Sequence, residues 1–322
     1  MLNYFGSLPP AMAQGLLWGI MAIGVYITFR VLDVADLTVD GSICTGMAVC
    51  AVLIVRGNMP VWVGLLCGCL AGMLAGLATG IFHVFFGIPA ILSGILTQLM
   101  LWSINLKIMG GTSNVGYPFG SKFFLSTQSD AATAMSILYL VLIVGAIIGV
   151  LYYFFGTELG SAIRATGCNI NMSRAQGINT DLIKILGLVI SNGIVAFAGA
   201  LLSLFLGFSD ANAGRGAIVI GLAAVIIGES LFARITKNNF ALKLSAVAVG
   251  GVIYYIVYQT IIFVGLDTNY LKMFSALLVA IFLAAPFWKG KYFARLHAKK
   301  MNVTADNADA ATADGKEADT DA

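Results

Sequence analysis

The sequence predicts an all-α fold: a polytopic transmembrane helical bundle of about eight to ten spans, one of them a candidate re-entrant segment. Two observations carry this. The 322 residues are 59% hydrophobic and only 10% charged, with a mean hydropathy of +0.93, whereas soluble domains are about a quarter charged. The charges are also clustered, leaving apolar runs close to the roughly 20 residues a helix needs to cross a bilayer core. A membrane barrel would instead alternate apolar and polar residues over about ten positions. The formal charge of +3 is too small to point to nucleic acid as a partner.

By that ruler, spans fall near residues 11–29, 41–55, 61–84, 90–106, 134–155, 184–206, 217–233, 240–263 and 271–287. No Lys or Arg precedes Arg30, so the first run lacks the basic start of a cleaved signal peptide and is expected to remain as a span. The second run, 41–55, is short and flanked by glycine; it either crosses or enters as a half-helix. In the third, Gly68, Gly72, Gly76 and Gly80 recur every four residues, a stripe suited to close helix packing in lipid. Cys44, Cys50, Cys67 and Cys69 lie in apolar runs and read as small core residues, not as a disulfide or metal set.

Basic residues near span ends set the orientation. Three groups fall on one side when the intervening spans are counted: Arg164, Arg174 and Lys184; Arg234, Lys237 and Lys243; and Lys289, Lys291, Arg295, Lys299 and Lys300. That side is expected to be the cytoplasm. Segments 207–216, 264–270 and the Gly/Ser/Thr-rich 107–133 then lie outside, the last either a docking surface or disordered. Residues 1–290 make the membrane domain, and residues 291–322 a cytoplasmic tail, first basic and then acidic, that is expected to be disordered.

One segment, 156–182, carries a mechanical possibility. Thr157 can cap a short helix whose Leu159, Ile163 and Thr166 or Ile170 repeat at helical spacing. Gly167 suits the left-handed position that stops it, Asn169 or Asn171 can cap a second turn through Met172, Arg174 and Ala175, and Gly177 stops that one. Asn179-Thr180-Asp181 then caps the next span. Local physics leaves two readings: a basic loop that anchors topology, or a rigid amphipathic hairpin able to take a push, with Arg164 reaching polar groups of a partner.

The run Ile163-Arg164-Ala165-Thr166-Gly167-Cys168-Asn169, followed by Ala175-Gln176-Gly177-Ile178-Asn179, resembles the cytoplasmic coupling loop of the ABC permease family that carries branched-chain amino acids, riboses and nucleosides. Further stretches are similar to that family: Thr28 to Asp33, Leu37 to Gly41 with Gly46, the Ala196-to-Leu201 run, and Ala223 to Glu229, where Glu229 stands in place of a usual second glycine. The resemblance covers roughly residues 15–285. It implies a bacterial inner-membrane permease subunit of an ATP-driven importer that moves a small solute into the cytoplasm, an amino acid and, by subgroup, an aromatic one. It also implies a pair of ABC ATPase subunits, an extracytoplasmic solute-binding protein and a second permease copy, with self-pairing expected. Leu159, Ile163, Arg164, Ala165, Gly167, Asn169, Arg174, Gly177, Ile178 and Asn179 would form the ATPase-coupling loop.

The residues themselves agree with a transport subunit rather than an enzyme. There is no G-x-x-x-x-G-K-[ST], H-E-x-x-H or G-x-S-x-G, and His83 and His297 are the only histidines, so no catalytic residue, cofactor or metal is expected. For the solute path, span 90–106 offers Ser93, Thr97, Gln98, Trp102 and Asn105, and span 184–206 offers Asn192. Such polar groups either bond between helices or line a water path. Asp33, Asp36 and Asp40 are either solvated in a cytoplasmic turn or, if the hairpin dips into the membrane, place Asp40 near a solute ammonium group. The rival is an ion-gradient-driven secondary transporter, which needs an intramembrane charge relay or broken helices at matched positions in two halves. Asp33–Asp40 and Asp210–Gly216 do precede similar small-residue runs.

Overall fold

A computed structural model of the chain describes residues 2–118, 124–125, 130–232 and 239–263, with scattered helical positions between 273 and 284. Arg234, Lys237, the segment 264–270, the tail 291–322 and most of the expected span 271–287 lie outside the described residues. The chain divides into units of residues 1–275 and 276–322, and every element named below belongs to the first.

The fold is an all-α polytopic bundle. Helix α1 (Leu2–Tyr26) ends in a π-helical turn over Ile27–Val31. Then come α2 (Val39–Val55), α3 (Val61–Val84) and α4 (Ala90–Ile108). Pro60 and Pro89 stand at the cap positions of α3 and α4, where a missing N–H costs nothing. After strand β1 (Asn114–Gly116) and α5 (Asp130–Gly156), two short helices follow, α6 (Glu158–Cys168) and α7 (Ile170–Ala175). Helix α8 (Thr180–Leu206) stops at Gly207, whose φ of +79° only glycine adopts freely. Strand β2 (Phe208–Asp210), α9 (Ala217–Phe232) and α10 (Phe240–Phe263) complete the order. Six helices are long and apolar enough to cross a membrane, and the sole sheet among the described residues is the antiparallel β1–β2 ribbon, Val115 opposite Ser209.

The glycine stripe does what its spacing predicts. Helices α3 and α8 run antiparallel in close contact: Gly68 meets Gly46 and Ala200, Gly72 meets Ala196 and Asn192, Gly76 meets Leu188, and Gly80 meets Ile185. A methyl group at Gly72 or Gly76 would strike the α8 backbone, so only glycine allows this approach. Glu229 does not loosen the packing of α9. Gly228 keeps the close contact with Ala246, while the Glu229 carboxylate accepts a 2.9 Å hydrogen bond from Arg30 Nε.

Two apolar helices are shorter than the others over the described residues. Helix α2 has 17 residues and α9 has 16, or about 25 Å of helix each against a core of about 30 Å. Both begin inside the bundle. Ser42, in the first turn of α2, bonds Asn192 near the middle of α8; Gly221, in the second turn of α9, packs on Met21 and Val25 of α1. Each follows one of the two most buried long helices, α1 and α8. The segment 41–55 thus forms a short helix that starts beside the middle of α8.

Candidate functional site

The two shorter helices meet at Asp40. This residue sits in the first turn of α2, and its carboxylate accepts hydrogen bonds from the backbone N–H groups of Gly216 (2.9 Å) and Ile218 (2.8 Å) at the start of α9. Asp40 thus serves the open N-terminal ends of both helices, whose dipoles place partial positive charge there. Gly214 N–H adds a 3.1 Å contact to Cys44 Sγ, and Gly216 takes φ +86° to turn into α9. A carboxylate held this way is half-buried and fixed in place by two backbone donors.

Beside this junction opens a cleft of about 410 Å³, bordered by Asp40, Gly41, Cys44, Gln98, Leu99, Trp102, Asn105, Ala211 and Arg215. Four of the seven residues proposed from sequence for the solute path therefore come together: Asp40, Gln98, Trp102 and Asn105. Trp102 is half exposed, and Asn105 is fully buried with neither amide atom hydrogen-bonded. Arg215 was missed by sequence reasoning. Its guanidinium is exposed and makes no hydrogen bond or ion pair among the described residues. The signal was present: an arginine between Gly214 and Gly216, directly before a small-residue run, in a loop otherwise poor in charge.

The other three residues do not reach the cleft wall. Asn192 Nδ2 donates to Asp36 Oδ2 at 2.6 Å, and its Oδ1 accepts from Ser42 Oγ at 2.6 Å. Thr97 joins Thr79 at 3.0 Å, and Thr79 joins Thr38 at 2.6 Å; Ser93 bonds back to Ala90 O. These groups tie α3, α4 and α8 to segment 32–38, in the inter-helix role that buried polar residues often take. The solvated reading of the three aspartates holds only for exposed Asp33. Asp36 is 3% exposed and caps Thr38 N–H at 2.8 Å, because segment 32–38 turns back into the bundle rather than ending at its surface.

At the α6–α7 end, most local caps follow the sequence. Thr157 accepts from Gly160 N–H, Asn169 from Met172 N–H at 3.0 Å, and Asn179 from the Asp181 and Leu182 N–H groups at 3.2 Å. Gly177 takes φ +80°. Gly167 does not stop α6, which runs on to Cys168; it is small because it lies against the Val31 carbonyl in the π-helical turn. Ile163 and Thr166 are buried, whereas Leu159, Ile170 and Met172 are exposed. Arg164 donates to Phe155 O at 2.8 Å and lies 5.9 Å from the Phe240 ring, so it clamps α6 to α5 and α10 of its own chain. Arg174 bonds Thr180 and Asp181, while Ala165, Gly177 and Asn179 stay exposed and Ile178 half-buried.

Six apolar helices of spanning length, with two shorter ones meeting at a polar cleft, give the architecture of a multi-pass membrane protein and suit one of the transport class. Broken helices at matched positions are shared by ion-driven carriers, so this geometry alone does not separate the two classes. Comparison with known proteins does. The family described as the permease component of branched-chain amino acid transport systems matches residues 10–285, and the chain belongs to it. The chain is 40% identical over 276 residues to a tyrosine transport system permease protein of Clostridioides difficile, covering 85% of this chain and 89% of that one. It is 32% identical over 285 residues to an uncharacterised protein of Rickettsia prowazekii, covering 85% and 96%. A shorter match, 33% over 110 residues, is to a xylose transport system permease of Haemophilus influenzae, covering 34% of this chain and 29% of that one. This is a permease subunit of an ABC importer in the bacterial inner membrane, working with ATPase and solute-binding partners.

Proposed function

We propose that the solute is an aromatic amino acid of the tyrosine type, and that it passes through the cleft bordered by Asp40, Trp102 and Arg215. The observation that carries this is the juxtaposition of a carboxylate, an unpaired guanidinium and an indole ring at one cleft. An amino acid zwitterion needs an acceptor for its ammonium group and a cation for its carboxylate, and an aromatic side chain gains from ring contact. Asp40 has lone pairs left after capping α9, and Arg215 has all its donors. The tyrosine transport relative agrees with this choice.

In the same proposal, loop 156–182 faces the cytoplasm and receives the ATPase. Exposed Leu159 and Met172 supply the apolar ridge for the partner, and Arg164 keeps α6 rigidly attached to the bundle. Closure of the ATPase pair would push α6 against the π-helical turn of α1 through the Gly167–Val31 contact, and so shift segment 32–38 and the start of α2. Residues 1–290 act as the transport domain and 291–322 as a cytoplasmic tail. A second copy of the chain completes the permease core, with the largely exposed apolar face of α4 available to it.

The test is ATP-dependent uptake of labelled tyrosine in proteoliposomes that hold the permease, its ATPase and its binding protein. Trp102→Ala is expected to lower uptake about tenfold or more, with the complex still assembled. Wild-type uptake rates in Trp102→Ala and Arg215→Ala would remove the cleft from the solute path.

A further inference from the structure

We infer that Asn105 reads a hydroxyl group on the solute, so that the permease itself, and not only its binding protein, favours tyrosine over phenylalanine. The inference rests on the cleft being the solute path.

Asn105 is unlike the other buried polar residues of α4. Ser93 bonds Ala90 O, and Thr97 bonds Ser93 O and Thr79. The Asn105 side chain is 0% exposed, yet neither Oδ1 nor Nδ2 has a partner. An unsatisfied amide in a helix interior is costly, and a leucine there would avoid the cost. A buried amide with both atoms unbonded on the border of a cleft is therefore suited to a ligand that supplies a donor and an acceptor together.

Its position fits that ligand. Asn105 lies one helical turn from Trp102 on the same face of α4, and about 10 Å along the helix from Gln98. Gln98 marks the level of the Asp40 junction, since Gly41 packs against the Gln98 backbone and Leu101. A solute with its charged end at Asp40 and Arg215 and its ring on Trp102 thus directs its far end to Asn105. With the cleft opened far enough to uncover the amide, a phenol hydroxyl there donates to Oδ1 and accepts from Nδ2. Phenylalanine would leave both atoms unpaired, and sites built to bond a hydroxyl reject analogues that lack it far more strongly than apolar pockets reject a missing methylene.

The experiment compares tyrosine and phenylalanine uptake, each as kcat/KM, by the full transporter in proteoliposomes with the same binding protein throughout. The binding protein's own preference then cancels between wild type and variant. Asn105→Leu and Asn105→Ala are expected to lower the tyrosine-to-phenylalanine ratio about tenfold or more in a transporter that still assembles, since no protein hydrogen bond is lost. An unchanged ratio in either assembled variant overturns the inference. So does failure of both variants to assemble, which would make the amide structural. Trp102→Ala, run alongside, separates the two levels. If it abolishes uptake while the ratio in Asn105→Leu is unmoved, the cleft stands and the hydroxyl reader falls. If Trp102→Ala is also without effect, the cleft itself falls.

Discussion

The breaks that precede α2 and α9 occupy equivalent places, each after a long buried helix and before a short one, but they are closed by different means. Segment 32–38 is sealed from within. Asp36 caps Thr38, holds Asn192 of α8 at 2.6 Å, and is 3% exposed. Segment 207–216 is closed from outside itself: β2 pairs with β1, and Asp40 of the other half supplies the cap of α9. The first break adjoins segment 156–182 through the contact of Gly167 with Val31, and the second adjoins the cleft through Arg215. One interruption of a helix is therefore a joint packed shut inside the bundle, and the other borders an open cleft. A short helix is not by itself a binding site; what faces its open end decides.

That contrast can be broken or sharpened by substitution. The largest effect is expected at the sealed break. Asn192→Leu strands the Asp36 carboxylate in the interior and should cost about 3 kcal/mol, read as a lower melting temperature in detergent. Adding Asp36→Leu removes the stranded group and should recover part of the loss, which would not happen if Asn192 served the solute directly. Next is Gly167→Ala, whose methyl group would press on the Val31 carbonyl and cost about 2 kcal/mol. Its signature is transport uncoupled from ATP hydrolysis, with substrate-stimulated ATPase activity lost and tyrosine binding kept. The smallest effect on stability belongs to the open break. Asp40→Ala removes the cap of α9 at about 1 kcal/mol, yet it should reduce uptake more than Gly167→Ala reduces binding. Equal losses of stability at Asn192 and Asp40 would mean that the two breaks are alike after all.

The sequence shows what is local and hides what is long-range. The spans at 61–84, 90–106 and 240–263 lie within two residues of the helices found there, because length and hydropathy alone fix them. Thr157, Asn169, Asn179 and Gly177 were legible because a cap acts on residues two or three positions away. Gly167 misled for the opposite reason: its constraint is a carbonyl 136 positions distant, which no local rule contains. Asp36 and Asn192 are 156 positions apart, and neither announces that it buries the other. On α4, Asn105 and Thr97 look equivalent in spacing and polarity. Only the bonds of Thr97 to Ser93 and Thr79, and the lack of any for Asn105, separate a structural residue from a candidate for the site. Arg215 has no local partner in sequence, and only the fold brings it to the same cleft as Trp102.

Solute protection at the cleft wall is the most direct check on the solute path. In a transporter whose five native cysteines are replaced, Gln98→Cys would be labelled with a small thiol reagent, with and without saturating tyrosine. The expected result is a labelling rate several-fold slower with tyrosine present and unchanged with an acidic amino acid. Equal rates with and without tyrosine, in a transporter that still takes it up, would place the path elsewhere.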